Sequence, residues 1–95
     1  KLIHDYCASK NIPVWCGGML ESGIGRAGNV ALASLPNFIL PGDISASKRY
    51  YKEDIVEPEF VVNTDGTMDV PIKPGIGVEV NMTMLEKVTV RKSEY

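Results

Sequence analysis

Residues 12–18 read IPVWCGG, and the fold is decided by how this stretch is read. Ile12, Val14, Trp15 and Cys16 make a short, nearly continuous apolar run. Continuous rather than alternating hydrophobicity marks a strand covered on both faces, the habit of parallel sheets. Gly17 and Gly18 end that strand and let backbone pass close to a neighbour or ligand. Upstream, Leu2, Ile3, Tyr6 and Cys7 form one apolar stripe, which predicts a helix over Lys1–Ser9. With no cap before it, this reads as a helix already under way, ended by Asn11 and Pro13. Downstream, Ile24, Ala27, Val30, Ala31 and Ser34 recur at helical spacing and predict a helix over Ser22–Leu35. Its small residues imply close packing, while Gly25 and Gly28 each weaken it by about 1 kcal/mol relative to alanine. Pro36 and Asn37 stop it, and Phe38–Leu40 is a second short apolar strand closed by Pro41 and Gly42.

Helix, buried strand, helix, buried strand is the repeat of a parallel sheet, whose crossovers are right-handed. Two strands leave such a sheet with bare edges and faces. The first half is therefore expected to be an excerpt from a larger α/β assembly. The second half differs. Ser45–Asp54 is predicted as a short polar helix. Glu59–Val62 and Thr67–Val70 are predicted to pair as a hairpin around Asn63-Thr64-Asp65-Gly66, where Asp-Gly favours positive φ. Pro71–Gly77 reads as a loop, Met82–Lys87 as a short helix and Val88–Arg91 as a further strand. Gly75-Ile76-Gly77 is read as a turn, because a phosphate loop needs a third glycine and a following helix. The change of architecture falls near residue 57, with no internal repeat.

Composition narrows the function classes. The 95 residues are 44% hydrophobic and 23% charged, in the globular range. A net charge of −2 argues against nucleic-acid binding, and no apolar run is long enough to span a membrane. Zinc needs three or four ligands, and only His4 could join Cys7 and Cys16. The cysteines are read as two reduced, buried thiols, and His4 as a helix-surface residue. No secretory leader is read at the start, which with the free thiols gives a cytoplasmic protein as the expectation.

Three phrases occur in order: PVWCGGMLESGIGR (Pro13–Arg26), LASLPNFILPGDISASKRYY (Leu32–Tyr51) and VPIKPGIGVEV (Val70–Val80). Together they resemble the C-terminal part of o-succinylbenzoate synthases and N-acylamino acid racemases, in the muconate-lactonizing subgroup of the enolase superfamily. The resemblance implies an α/β fold, the C-terminal part of a modified TIM barrel. Residues 1–57 would hold its last two strands and the helix between them. Residues 58–95 would form a segment returning to an α+β capping domain. Ala27-Gly28 departs from the alanine and histidine or small residue frequent after the arginine in this group, a change expected to affect the helix rather than the chemistry.

The resemblance further implies abstraction of a proton α to a carboxylate, with Mg²⁺ stabilising the enediolate. The three metal-binding carboxylates and the two catalytic lysines would all precede Lys1, so no catalytic or metal-binding residue is expected in this chain. Lys10, Lys48 and Lys73 are read as solvated. What remains is pocket wall, because barrel active sites lie at the C-terminal ends of strands. Gly18 lets a backbone N–H approach a substrate carboxylate or carbonyl. Met19 and Leu20 offer adaptable apolar surface, unless they are plain barrel packing. Glu21 either orients its neighbours or caps the following helix, and Asp43 either accepts from a substrate or caps a helix with Ser45. The expected partners are a small carboxylate substrate and the rest of the barrel and cap; association with like subunits stays open. The leading activity is o-succinylbenzoate synthase, the syn-dehydration of a cyclohexadiene carboxylate in menaquinone biosynthesis. N-acylamino acid racemase and dipeptide epimerase are alternatives, and a free-standing, non-catalytic binding module is the reading of a different class.

Overall fold

The computed structural model describes residues 1–95. Helix α1 spans Leu2–Ser9 and closes over Lys10, and Asn11 turns the chain at φ 55°. Helix α2 spans Gly23–Ala33 between Ser22 and Ser34. A single 3₁₀ turn, Ser47–Arg49, is all that forms of the short helix expected over 45–54. Strands β1 (Val56–Glu57) and β2 (Glu79–Val80) pair antiparallel, and α3 covers Met82–Val88. Asn81 caps α3 by accepting the Met84 N–H at 3.0 Å.

The two expected parallel strands lie side by side as extended segments, but neither forms a regular ladder. Val14 N–H donates to the Asn37 carbonyl (3.1 Å), Leu40 N–H to the Val14 carbonyl (3.4 Å) and Asp43 N–H to the Cys16 carbonyl (2.9 Å). From Val14 to Cys16 the first segment advances two residues, while Leu40 to Asp43 on the second advances three. That extra residue is a bulge, which breaks the ladder. Only Gly17 and Asp43 meet in a parallel bridge.

The expected hairpin over 59–70 is also not a ladder. Asn63 N–H reaches the Thr67 carbonyl (2.7 Å) and Gly66 sits at φ 83°, so the Asp-Gly turn is present, but pairing stops there. Val61 and Val62 lie exposed, whereas the β1–β2 pairing carries Val56 and Val78 into the core. Burial of those two side chains selects the longer-range pair. Residues 88–91 are not a strand either: Thr89 ends α3 and its hydroxyl donates to the Leu85 carbonyl at 2.6 Å.

The core is small and joins both halves. Ala27 and Val30 of α2 pack with Val56, Phe60 and Val78, flanked by Ile44, Ile55 and Met68. Elsewhere the apolar surface is open. Trp15 is 57% exposed and Ile39 69%, so the two extended segments are not covered on both faces within this chain. The radius of gyration is 15.2 Å, against roughly 12 Å for a self-contained domain of this length. Both observations fit an excerpt whose sheet is completed from outside, and neither fits a free-standing module.

Two readings of single residues need correction. His4 is buried rather than on a helix surface. Its ring stacks on Phe38 at 5.6 Å, Nε2 accepts the Asn37 N–H at 3.0 Å, and Nδ1 lies 2.8 Å from Asp5 Oδ1. These contacts tie α1 to the turn before the second extended segment. Both cysteines are free thiols, but only Cys16 is buried; Cys7 is half-buried. No helix is long and apolar enough to cross a membrane.

Candidate functional site

The C-terminal ends of the two extended segments come together at Gly17–Gly18 and Gly42–Asp43. A Cβ on Gly18 would lie 2.6 Å from the Asp43 carbonyl oxygen, and one on Gly42 would lie 3.3 Å from the Cys16 carbonyl oxygen. Glycine at 18 is thus required by close backbone approach rather than by an unusual φ. The Gly18 N–H faces the Asp43 carbonyl across the Gly17–Asp43 bridge without making a well-aligned hydrogen bond. The Asp43 carboxylate lies exposed at the same end and makes no hydrogen bond. It does not cap the 3₁₀ turn, which begins at Ala46 without a side-chain cap.

Met19 and Leu20 follow, residues 78% and 64% exposed. They are not packed within this chain, and they directly follow the Gly18 backbone that lies against Asp43. The Glu21 carboxylate turns back on its own loop. Its Oε2 accepts the Met19 N–H at 2.6 Å, and its Oε1 accepts Asn29 Nδ2 at 2.9 Å. Partial burial pushes the Glu21 carboxyl up. Hydrogen bonds from the Glu21 and Met19 N–H groups and from Asn29, together with the Arg26 charge, outweigh that and hold it below the usual carboxylate range. The Glu21 carboxylate thus holds the Met19 N–H and the Asn29 amide, and it makes no capping bond to α2.

Three residues that the sequence reading did not single out as site residues support this loop. Asn29 reaches Glu21 from α2, the Tyr51 hydroxyl donates to the Leu20 carbonyl, and Arg26 Nη2 donates to the Glu21 carbonyl at 3.0 Å. Arg26 is fully buried, an unusual state for a guanidinium. The available signal was its place in α2 beside Ala27 and one turn before Val30, on the apolar face. Beneath it lies a polar knot. Asp54 Oδ1 accepts the Gly23 N–H (2.8 Å) and the Ile55 N–H (2.7 Å). Asp54 Oδ2 accepts the Ser47 hydroxyl (2.6 Å) and faces Arg26 Nη1 at 3.6 Å. Ser47 Oγ in turn accepts the Phe60 N–H at 3.2 Å. Gly23 is fixed by the same knot, since a Cβ there would strike Val56 at 2.0 Å and Asp54 at 2.8 Å.

No three His, Cys, Asp or Glu side chains gather closely enough to hold a metal ion. Glu21 is already engaged and Asp43 stands alone, so the residues of this chain do not make a Mg²⁺ site among themselves.

Comparison with known proteins places this geometry. The profile described as Enolase C-terminal domain-like matches residues 1–84. An N-succinylamino acid racemase of Amycolatopsis is 60% identical over 90 residues, covering 95% of this chain and 24% of that protein. An o-succinylbenzoate synthase of Bacillus subtilis is 54% identical over 93 residues, covering 98% of this chain and 25% of that protein. A crystal structure of an enolase-superfamily member from Listeria innocua superposes with TM-score 0.84 at 53% identity, covering 90% of this chain and 23% of that one. The chain thus spans about a quarter of the length of the relatives it matches. On the match over residues 1–84 and these similarities, the chain belongs to the enolase C-terminal domain-like family of the enolase superfamily.

Proposed function

We propose that this chain forms the last barrel segment of a longer enzyme that removes a proton α to a carboxylate, with o-succinylbenzoate synthase as its activity. Residues 58–95 then run on toward the capping domain, after Phe60 and Val78 have joined the α2 core. The observation that carries this reading is the junction of the two strand ends. It sets the Gly18 backbone against Asp43, whose carboxylate is exposed and without a hydrogen bond, and the exposed apolar residues Met19 and Leu20 come next in the chain. A small substrate with a carboxylate or carbonyl and an apolar body suits that combination. In this reading Gly18 N–H donates to a substrate oxygen, Asp43 accepts from a substrate or ammonium donor, and Met19 and Leu20 exclude water from the acyl side.

Mg²⁺ supplies charge stabilisation for the enediolate in this kind of chemistry. The residues of this segment do not fit such an ion. A second reading, N-succinylamino acid racemase, is favoured by the 60% identity to the Amycolatopsis protein of that name.

Steady-state kinetics on the complete polypeptide that carries this segment test both. Dehydration of the cyclohexadiene carboxylate and racemisation of N-succinylphenylalanine would be measured side by side, and the larger kcat/KM names the activity. Gly18→Ala should lower that kcat/KM at least about tenfold, because the strand ends must part to admit the methyl group. A natural enzyme inert toward both substrates would overturn the reading.

A further inference from the structure

The rim loop is held from beneath more firmly than an exposed loop requires. Water would satisfy the polar backbone of a surface loop at little cost. Instead, three consecutive residues are tied to side chains. The Met19 N–H is taken by Glu21 Oε2, the Leu20 carbonyl by the Tyr51 hydroxyl, and the Glu21 carbonyl by Arg26 Nη2. Asn29 holds the other oxygen of the Glu21 carboxylate. These anchors come from two separate places, α2 and the segment after the 3₁₀ turn. Gly25 leaves room for the arrangement, since a Cβ there would approach Glu21 Cβ to 3.0 Å. The residues on the fixed backbone, Met19 and Leu20, are by contrast left 78% and 64% exposed.

We infer that Asn29 and Tyr51 are positioning residues that fix the Met19–Leu20 backbone and thereby set which acyl group the enzyme prefers. This rests on the rim being substrate wall, as proposed above. The physical logic is that of a rigid supporting shell. An apolar wall discriminates acyl groups only when its position is fixed to a fraction of an ångström. The anchors touch backbone and carboxylate atoms of the loop, so their loss should move the wall without removing any group that meets the substrate.

The test uses the complete enzyme with Asn29→Ala and Tyr51→Phe, and with Glu21→Gln beside Glu21→Ala. For each, KM and kcat are measured with N-succinylphenylalanine and N-acetylphenylalanine, together with the thermal midpoint. The ratio of the two kcat/KM values should change by about fivefold in Asn29→Ala and Tyr51→Phe, the worth of one neutral hydrogen bond, and mainly through KM. Glu21→Gln should retain most of the preference lost in Glu21→Ala, because its amide oxygen still accepts the Met19 N–H. A purely structural role would lower the midpoint, or kcat for both substrates alike, and leave the ratio unmoved; that result overturns the inference. Should Asn29→Ala fail to fold, Tyr51→Phe, which removes a single oxygen, carries the same expectation. An unmutated enzyme inactive on both substrates would instead count against the rim as substrate wall.

Discussion

Removing the Asp54 carboxylate should cost far more stability than removing the arginine it faces. The Asp54 side chain is 1% exposed and that of Arg26 0%. Asp54 accepts from the Gly23 N–H, the Ile55 N–H and the Ser47 hydroxyl, and it lies within ion-pair reach of Arg26. Arg26 has one hydrogen bond, to the Glu21 carbonyl, and its Nε and Nη1 have none. Asp54→Ala therefore strands a buried cation, which costs about 3–5 kcal/mol. The Gly23 N–H and the Ser47 hydroxyl lose their acceptor as well, at about 1 kcal/mol each. A total of about 5–7 kcal/mol is a large share of the roughly 5–15 kcal/mol that holds a domain together. Arg26→Met keeps most of the volume and leaves the carboxylate three donors, so about 1–3 kcal/mol is expected. In the double variant no charge is stranded, and its loss should fall short of the sum by at least about 1 kcal/mol. Urea unfolding of the complete polypeptide, followed by circular dichroism, gives the midpoints. Additive losses, or an Arg26→Met loss equal to that of Asp54→Ala, would refute the reasoning.

Gly28 is a helical glycine with open space around its Cβ position, so Gly28→Ala should raise stability by about 1 kcal/mol, read as a higher urea midpoint. Glu21 titrates below the ordinary carboxylate value of 4.5 in the folded chain. Its contribution is therefore present above the unfolded value and is lost as pH falls through the folded one. Glu21→Gln should flatten the acid limb of the stability–pH curve below about pH 4.5 and leave its alkaline limb unchanged. Burial, with the Glu21 charge, raises the Cys16 thiol above its ordinary 9.0. Cys16 should react with a disulfide reagent at pH 8 more slowly than free cysteine does, and an equal rate would contradict its burial.

The sequence was most informative where the signal is local. The stripe of Leu2, Ile3, Tyr6 and Cys7 and the Ala27–Val30 spacing each sit inside the helix they announce. The Asp-Gly turn is likewise written in adjacent residues. Long-range pairing was not readable in the same way. Glu59–Val62 and Thr67–Val70 look like partners because a turn joins them. The chain instead pairs Val56–Glu57 with Glu79–Val80, which buries Val56 and Val78 against α2. At the rim, Gly17–Gly18 announced a close approach and Asp43 a strand end, and the structure brings those two ends together. The supports beneath were hidden. Asn29, Arg26 and Tyr51 act through contacts that no spacing rule links to Met19 or Leu20. His4 escaped for the same reason, since its partners Asn37 and Phe38 lie beyond α2.

The small core has a consequence for anyone recombining relatives of this protein. Ala27 and Val30 come from before residue 57, and Phe60 and Val78 from after it. A hybrid polypeptide joined at that boundary would set one parent's helix against another parent's tail, with the seam running through the one cluster of buried apolar contacts. Crossovers placed beyond Val80 would inherit both sides of the cluster from one parent, and the tail could then be exchanged without disturbing what lies beneath the rim.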